Sequence, residues 1–281
     1  NMQQILGIYE KETALGLAAS SASERPYWER ISQALRCWQD SPQRAVQEFF
    51  ASLSEEDARL QTGLGISYYL ASEQEFHLHA AVYWFSRASD NGFALAQCAL
   101  GVCYLTGAGL EANPQSAEGW FRTAAEQGYA PGQFMLGKHL YQHQFGASDH
   151  KVQAVGWFRK SAELGYIPAQ YVLGLCYLDG SALPQDREQG IFWIGQAAEQ
   201  GDRTAIRKMI ELHLSREELP IRLHWLRQGA ESGDAELQYQ LGVSFETGAG
   251  VEQSYHQAAV WYRKAAERLL PSTDRLTSSS K

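Results

Sequence analysis

The sequence predicts an all-α protein, a right-handed α-solenoid (superhelix) of about six antiparallel helix pairs behind an N-terminal helical cap. Three observations predict it. Six of the eight tryptophans, Trp84, Trp120, Trp157, Trp193, Trp225 and Trp261, stand 36, 37, 36, 32 and 36 residues apart. A Leu-Gly pair recurs in one phase with them, at Leu64-Gly65, Leu100-Gly101, Leu136-Gly137, Leu173-Gly174 and Leu241-Gly242. A glycine follows eight residues after each of the first five of these tryptophans, at Gly92, Gly128, Gly165, Gly201 and Gly233. A period of this length holds one helix–turn–helix, which cannot bury its apolar face alone and must stack on a neighbour.

In chain order, residues 1–23 are expected to be a flexible segment, since 11–23 are mostly Ala, Ser and Gly. Residues 24–53 read as two helices, Glu24–Trp38 and a second with Ser41-Pro42 at its start and running to Phe50. They lack the repeating motif and serve as a degenerate first unit or as a cap over the open end of the stack. Six repeat units then fill 54–270, and 271–281 is expected to be a flexible tail. Ser54-Glu55-Glu56-Asp57 is a capping-box pattern before the first Leu-Gly helix. Asn113-Pro114 places a cap and then a first-turn proline before a Trp helix.

Each recurring position has a physical reason. The residue after each Trp is bulky and apolar (Phe85, Phe121, Phe158, Ile194, Leu226, Tyr262), and four to five residues after the Trp come small ones, such as Ala124-Ala125. These share one face of a helix, so large on one helix can meet small on the next. That places the tryptophans in the core. The glycine at Trp plus eight fits a left-handed helix stop. The glycine of each Leu-Gly pair costs about 1 kcal/mol of helix propensity relative to Ala, which close approach of the partner helix would offset. Short glycine turns, Gly107-Ala108-Gly109-Leu110 and Gly248-Ala249-Gly250-Val251, join helices within a unit. The fifth unit departs most, with Met209-Ile210 in place of Leu-Gly; the third has Gln142-His143-Gln144 where turn glycines are expected.

Composition excludes several functions. The formal net charge of −8 opposes a sequence-independent grip on nucleic acid or an anionic membrane surface, and favours a basic partner. No run of 18 apolar residues exists, so no membrane span is expected. The first dozen residues lack a basic stretch followed by a long apolar core and do not read as a signal peptide. Of the four cysteines, Cys37, Cys98, Cys103 and Cys176, none forms a CxxC, and Cys98 and Cys103 are poorly spaced for a bridge on one helix. His139 and His143 could share a helix face, but no H-E-x-x-H completes a zinc site. There is no nucleophile elbow and no P-loop. No catalytic residue, metal or cofactor is expected, and the chain does not read as an enzyme.

Leu-Gly, an aromatic three residues later, the glycine turn, the Trp-aromatic pair and Ala-Ala-Glu ahead of a glycine together resemble the Sel1-like repeat, a relative of the tetratricopeptide repeat. The likeness is clearest over 99–128 and extends over about 59–268. The resemblance implies a protein–protein interaction scaffold. Relatives of this kind act as adaptors, and in bacteria as periplasmic, host-interaction or immunity proteins that neutralise secreted effectors such as lipases. It therefore implies a partner protein, plausibly a secreted toxin or effector sequestered by a bacterial immunity protein, with a periplasmic location somewhat favoured over a cytoplasmic one. The alternatives are a structural adaptor of a secretion or motility assembly and, more remotely, a β-lactam-binding or hydrolysing enzyme. That last class carries a cysteine pair in nearly every repeat, whereas here only Cys103 and Cys176 occupy equivalent positions.

Function should sit where the repeats vary. On the first helix of each unit, the positions two before and two or five after the core Leu project to a concave groove. They hold Thr62, Tyr69, Cys98, Phe134, Lys138, Tyr141, Tyr171, Arg207, Glu211, Tyr239 and Glu246. Aromatic and basic residues carry most interface energy, so Phe134, Lys138, Tyr141, Tyr171, Arg207 and Tyr239 are the expected partner-binding residues.

Overall fold

A computed structural model describes residues 2–19, 25, 29, 31–32, 57–71, 75–142, 148–180, 182–215 and 217–269. The fold is all-α. The described residues form α1 (Met2–Ala19), α2 (Ala58–Leu70), α3 (Glu75–Asp90), α4 (Ala94–Thr106), α5 (Pro114–Glu126), α6 (Ala130–Gln142) and α7 (Ser148–Glu163). They continue with α8 (Ile167–Asp179), α9 (Arg187–Glu199), α10 (Arg203–Leu212), α11 (Leu219–Glu231), α12 (Ala235–Thr247) and α13 (Tyr255–Leu269). There is no strand among them. The chain forms two compact units, Asn1–Leu164 and Gly165–Lys281. In the first, α1 accompanies the pairs α2–α3, α4–α5 and α6–α7; the second holds α8–α9, α10–α11 and α12–α13.

Every described pair except α10–α11, which has Met209-Ile210 at this position, is locked by its Leu-Gly glycine. A Cβ at Gly65 would lie 2.5 Å from the Phe85 ring, at Gly101 2.6 Å from Phe121, and at Gly137 2.8 Å from Phe158. In the second unit the same holds for Gly174 against Ile194 at 2.5 Å and Gly242 against Tyr262 at 2.6 Å. The expected close approach is therefore real, and the bulky residue after the Trp is what approaches. Phe85, Phe121, Phe158, Ile194 and Leu226 are buried.

The tryptophans themselves correct the expectation. Of the six repeat tryptophans, Trp225, at 5% exposure, is buried and the other five are half-buried. One residue is a turn of about 100° on a helix, so the residue after the Trp points into the pair and the indole lies on its flank. There the Lys160 and Lys264 ammonium groups sit 4.1 and 3.9 Å from the Trp157 and Trp261 rings.

Successive pairs meet through small residues. A Cβ at Gly132 would lie 2.8 Å from the Ala124 Cβ, which lets α6 press on α5. Buried glutamines near the starts of the first helices add polar ties. Gln127 Nε2 donates to Gln97 Oε1 at 2.8 Å and Gln200 Nε2 to Gln170 Oε1 at 2.7 Å. Gln133 and Gln238 instead donate to the carbonyls of Ala125 and Ala230.

The helix ends follow the sequence closely. The five glycines at Trp plus eight all have φ between +75° and +88°. Asn113 Oδ1 accepts from the Ser116 N–H at 3.0 Å, as its Asn-Pro pattern predicts. At the first pair the cap is Asp57, whose carboxylate accepts from the N–H groups of Arg59 and Leu60. The Ser54 part of the predicted capping box lies outside the described residues, as do the tail 271–281 and most of the third unit's turn. The predicted cap over 24–53 also lies outside them, apart from Arg25, Glu29, Ile31 and Ser32.

Within the segment expected to be flexible, Met2–Ala19 instead form α1, and residues 20–23 lie outside the described residues. Its Ile5, Tyr9 and Thr13, one turn apart, are buried, and the Tyr9 hydroxyl donates to the Arg59 carbonyl at 2.9 Å. Tertiary packing of this stripe overrides the small-residue composition.

Candidate functional site: the variable face of the first helices

Phe134, Lys138 and Tyr141 fall in the first unit, on α6. Phe134 is not on an open face. It is 7% exposed, with its ring 5.7 Å from that of Phe158. The position two before the core Leu is turned far enough toward the pair for a large ring to bury itself there, so Phe134 is a packing residue. Lys138 is exposed. Tyr141 is half-buried, 6.2 Å from the Phe158 ring and with the Lys151 ammonium 5.7 Å from its own. The structure thus gathers Phe134 and Tyr141 around Phe158 and leaves Lys138 pointing to solvent.

Tyr171, Arg207 and Tyr239 fall in the second unit, on α8, α10 and α12. Tyr171 is half-buried, and burial pushes its phenol above the ordinary tyrosine range. Arg207 is exposed but grips both carboxylate oxygens of Asp234 at 2.7 to 3.0 Å. Burial works against the charge on Asp234. The Arg207 hydrogen bonds and the N–H groups of Leu237 and Glu236 outweigh it and hold the carboxyl below its usual range. Tyr239 is 54% exposed, its ring 5.3 Å from that of Tyr262 and tilted 38° to it. The Tyr262 hydroxyl donates to Glu246 at 2.5 Å, and that bond pushes its phenol up to about 12.

The second unit also holds a cleft of about 450 Å³, lined by Leu175, Leu178, Leu212, Arg187 and Lys208. Leu175 and Leu178 are two and five residues after the core Leu173, the same offsets that nominate groove residues. Aliphatic residues on a helix read as core from sequence, so spacing alone does not single these two out. A smaller cavity, about 310 Å³, lies among Leu219, Arg222, Leu226 and Val243.

In the first unit the other groove candidates with an offset of minus two, Thr62 and Cys98, are fully buried. Cys98 lies close enough to Glu12 of α1 to feel its charge. The three described cysteines are buried, and burial pushes Cys103 up to about 12 and Cys176 to about 11, so they are poor nucleophiles at neutral pH. Among the described residues no three His, Cys, Asp or Glu side chains gather as a metal site would require.

Helix pairs locked from within, with aromatic and charged residues varying along their first helices, define a helical-repeat scaffold. The sequence profile of the Sel1 repeat matches residues 61–93, 94–129, 130–166, 167–202, 223–234 and 235–268, and the chain belongs to the Sel1 repeat family. A Sel1 repeat protein from Oxalobacter formigenes is 21% identical, with a TM-score of 0.62 over 85% of this chain and 99% of that one, a likeness of fold. A protective antigen of uropathogenic Escherichia coli with the same repeat fold is 22% identical, with a TM-score of 0.38 over 96% of this chain and 80% of that one. An immunity protein from Pseudomonas aeruginosa is 18% identical, with a TM-score of 0.43 over 72% of this chain and 81% of that one. No curated protein matches the chain.

Proposed function

We propose that the chain is a non-catalytic protein-binding scaffold that sequesters one partner protein, as a bacterial immunity protein does with a secreted effector such as a lipase. The observation that carries the binding reading is the face of the second unit. Tyr239 is exposed and Tyr171 half-buried at positions the core lock does not use, and a leucine-lined cleft with Arg187 and Lys208 at its edge lies on α8 and α10. Accessible aromatics, and an apolar cleft with charged residues in its lining, are the usual materials of an interface hot spot. Membership of the repeat family supports the narrower role, and a periplasmic site of action accords with it. Among the described residues no helix is long and apolar enough to cross a membrane.

The test has two stages. A partner captured from the secreted proteins of the parent bacterium is titrated into the chain by calorimetry. Changing Tyr171 and Tyr239 together to Ala should weaken binding about 30-fold, or roughly 2 kcal/mol, without altering the helical signal. Unchanged affinity in the folded double variant would remove this face from consideration. Sequestration further requires that one equivalent of chain suppress the partner's own activity; a partner that binds and stays fully active would point to an adaptor.

A further inference from the structure

We propose that Tyr239, Glu246 and Tyr262 form a subsite for a guanidinium group, into which the partner docks an arginine side chain. The inference rests on the reading of the chain as a protein binder and assigns one contact of that binding.

The site is a departure from the repeat. The bulky residue after each Trp packs over a Leu-Gly glycine, and Phe85, Phe121 and Phe158 do so with no polar atom. In the last pair that residue is Tyr262, whose ring lies over Gly242 in the same way. Its hydroxyl is surplus to the lock. Five residues after the core Leu, or after Met209 in the fifth unit, the other repeats carry Tyr69, Leu105, Tyr141, Leu178 and Leu214. α12 carries Glu246 there. A hydroxyl and a carboxylate thus enter the same pair, and they meet, since the Tyr262 hydroxyl donates to Glu246 Oε2.

The geometry suits a flat cation. Tyr239 and Glu246 are seven residues apart, two turns of α12, so they share a face, and both are exposed. Tyr262 reaches across from α13 and bridges them, with its ring 5.3 Å from that of Tyr239 and its hydroxyl on Glu246. That bond holds one carboxylate oxygen in place beside the exposed Tyr239 ring. The Gln253 amide donates to the Glu246 carbonyl at 2.8 Å and to the Tyr255 hydroxyl at 3.1 Å. It brings a further tyrosine, 70% exposed, to the same end of α12.

An aromatic face attracts a cation through its negative quadrupole, and a carboxylate attracts it through charge. A guanidinium is planar, so it can lie against a ring while its N–H groups reach a carboxylate. An ammonium is compact and strongly hydrated, and gains less from the ring. The formal net charge of −8 draws a basic partner toward the chain, and this site would give one of its arginines a defined seat.

The test titrates the full chain, with its tyrosine rings isotope-labelled, with Nα-acetyl-arginine amide at physiological salt and follows the ring resonances by NMR. The Tyr239 and Tyr262 signals should shift to saturation. The uncharged citrulline amide should leave them in place, and the lysine amide should bind about threefold more weakly. Glu246→Gln and Tyr239→Ala should each weaken arginine amide about three- to fivefold. Tyr262→Phe keeps the ring of the lock, so it should melt with the wild type yet bind about twofold more weakly. Shifts that do not saturate, equal shifts with citrulline amide, or unchanged affinity in Glu246→Gln would overturn the proposal. Lysine amide binding as tightly as arginine amide would overturn the guanidinium assignment. The titration needs no partner, so its result is independent of whether the chain sequesters one. With a captured partner, Glu246→Gln should cost about fivefold. Full affinity in Glu246→Gln beside a weakened Tyr171 and Tyr239 double variant would overturn this contact and leave the binding face standing.

Discussion

At the scale of single residues, the stability of every pair but α10–α11 rests on a contact between a helical glycine and the side chain one residue beyond the tryptophan. Gly101 shows what the contact requires: an added methyl would sit inside van der Waals distance of the Phe121 ring, itself buried and unable to swing away. Gly101→Ala should therefore destabilise the chain by about 1–3 kcal/mol in urea titrations, despite the better helix propensity of Ala. Gly119 and Gly156 are the contrast. Both lie in exposed helical positions with nothing within 4 Å of a new Cβ. Alanine there should raise stability by about 0.5–1 kcal/mol each. Phe158→Ala should cost about 3–5 kcal/mol and Trp157→Ala clearly less; the reverse order would undo the assignment of the core. The tryptophans made the period visible because they are rare and large. They do not report burial, because the residue after each Trp repeats with the same period about 100° further round the helix, and spacing alone does not tell a flank from a centre.

At the scale of helices, the caps and stops were the most readable features, since glycine at positive φ and Asn-Pro starts act locally. The fifth unit was harder to read. α10 is 10 residues long and lacks the glycine lock, yet Asp202 and Asp234 still cap α10 and α12. Asp234 also carries Arg207, and the sign of its effect with pH follows. A carboxyl held below its unfolded pKa adds stability that is complete above that value and disappears as pH falls through the folded pKa. Asp234→Asn keeps an oxygen for the cap but removes the charge, and should cost about 1 kcal/mol at neutral pH, since the Arg207 side chain is half open to solvent. The gap between variant and wild type should be flat above about pH 5 and close below about pH 4; a gap that widens in acid would refute the assignment. α1 was illegible for a different reason. Among its described side chains two large apolar residues are buried, Ile5 and Tyr9, too few for periodicity to stand out beside the Ala and Gly of its second half. Its order comes from contacts with residues far along the chain, such as Tyr129.

For the molecule as a whole, contacts run between neighbouring helices within each compact unit, so perturbations should stay local. Hydrogen exchange on Gly137→Ala should quicken in α6 and α7 and in the adjoining α5, and leave α12 and α13 at their wild-type rates; uniform acceleration would mean a single cooperative block. The same arrangement explains which parts of the proposed binding face are open. Equivalence between repeats nominates the same position on every first helix, and that position is exposed at Tyr239. It fails at Cys98 and Phe134, where α1 or an oversized ring closes the face. The placement of the lock has one more consequence. Gly101 and Phe121 belong to one 36-residue segment, 94–129, as the paired glycine and ring do in the neighbouring repeats. A tandem duplication at the DNA level that copies such a segment in frame would bring both halves of the contact with it. The gene can lengthen or shorten by whole segments without inventing a new fit, and the array's length becomes a trait open to inheritance and selection in discrete steps.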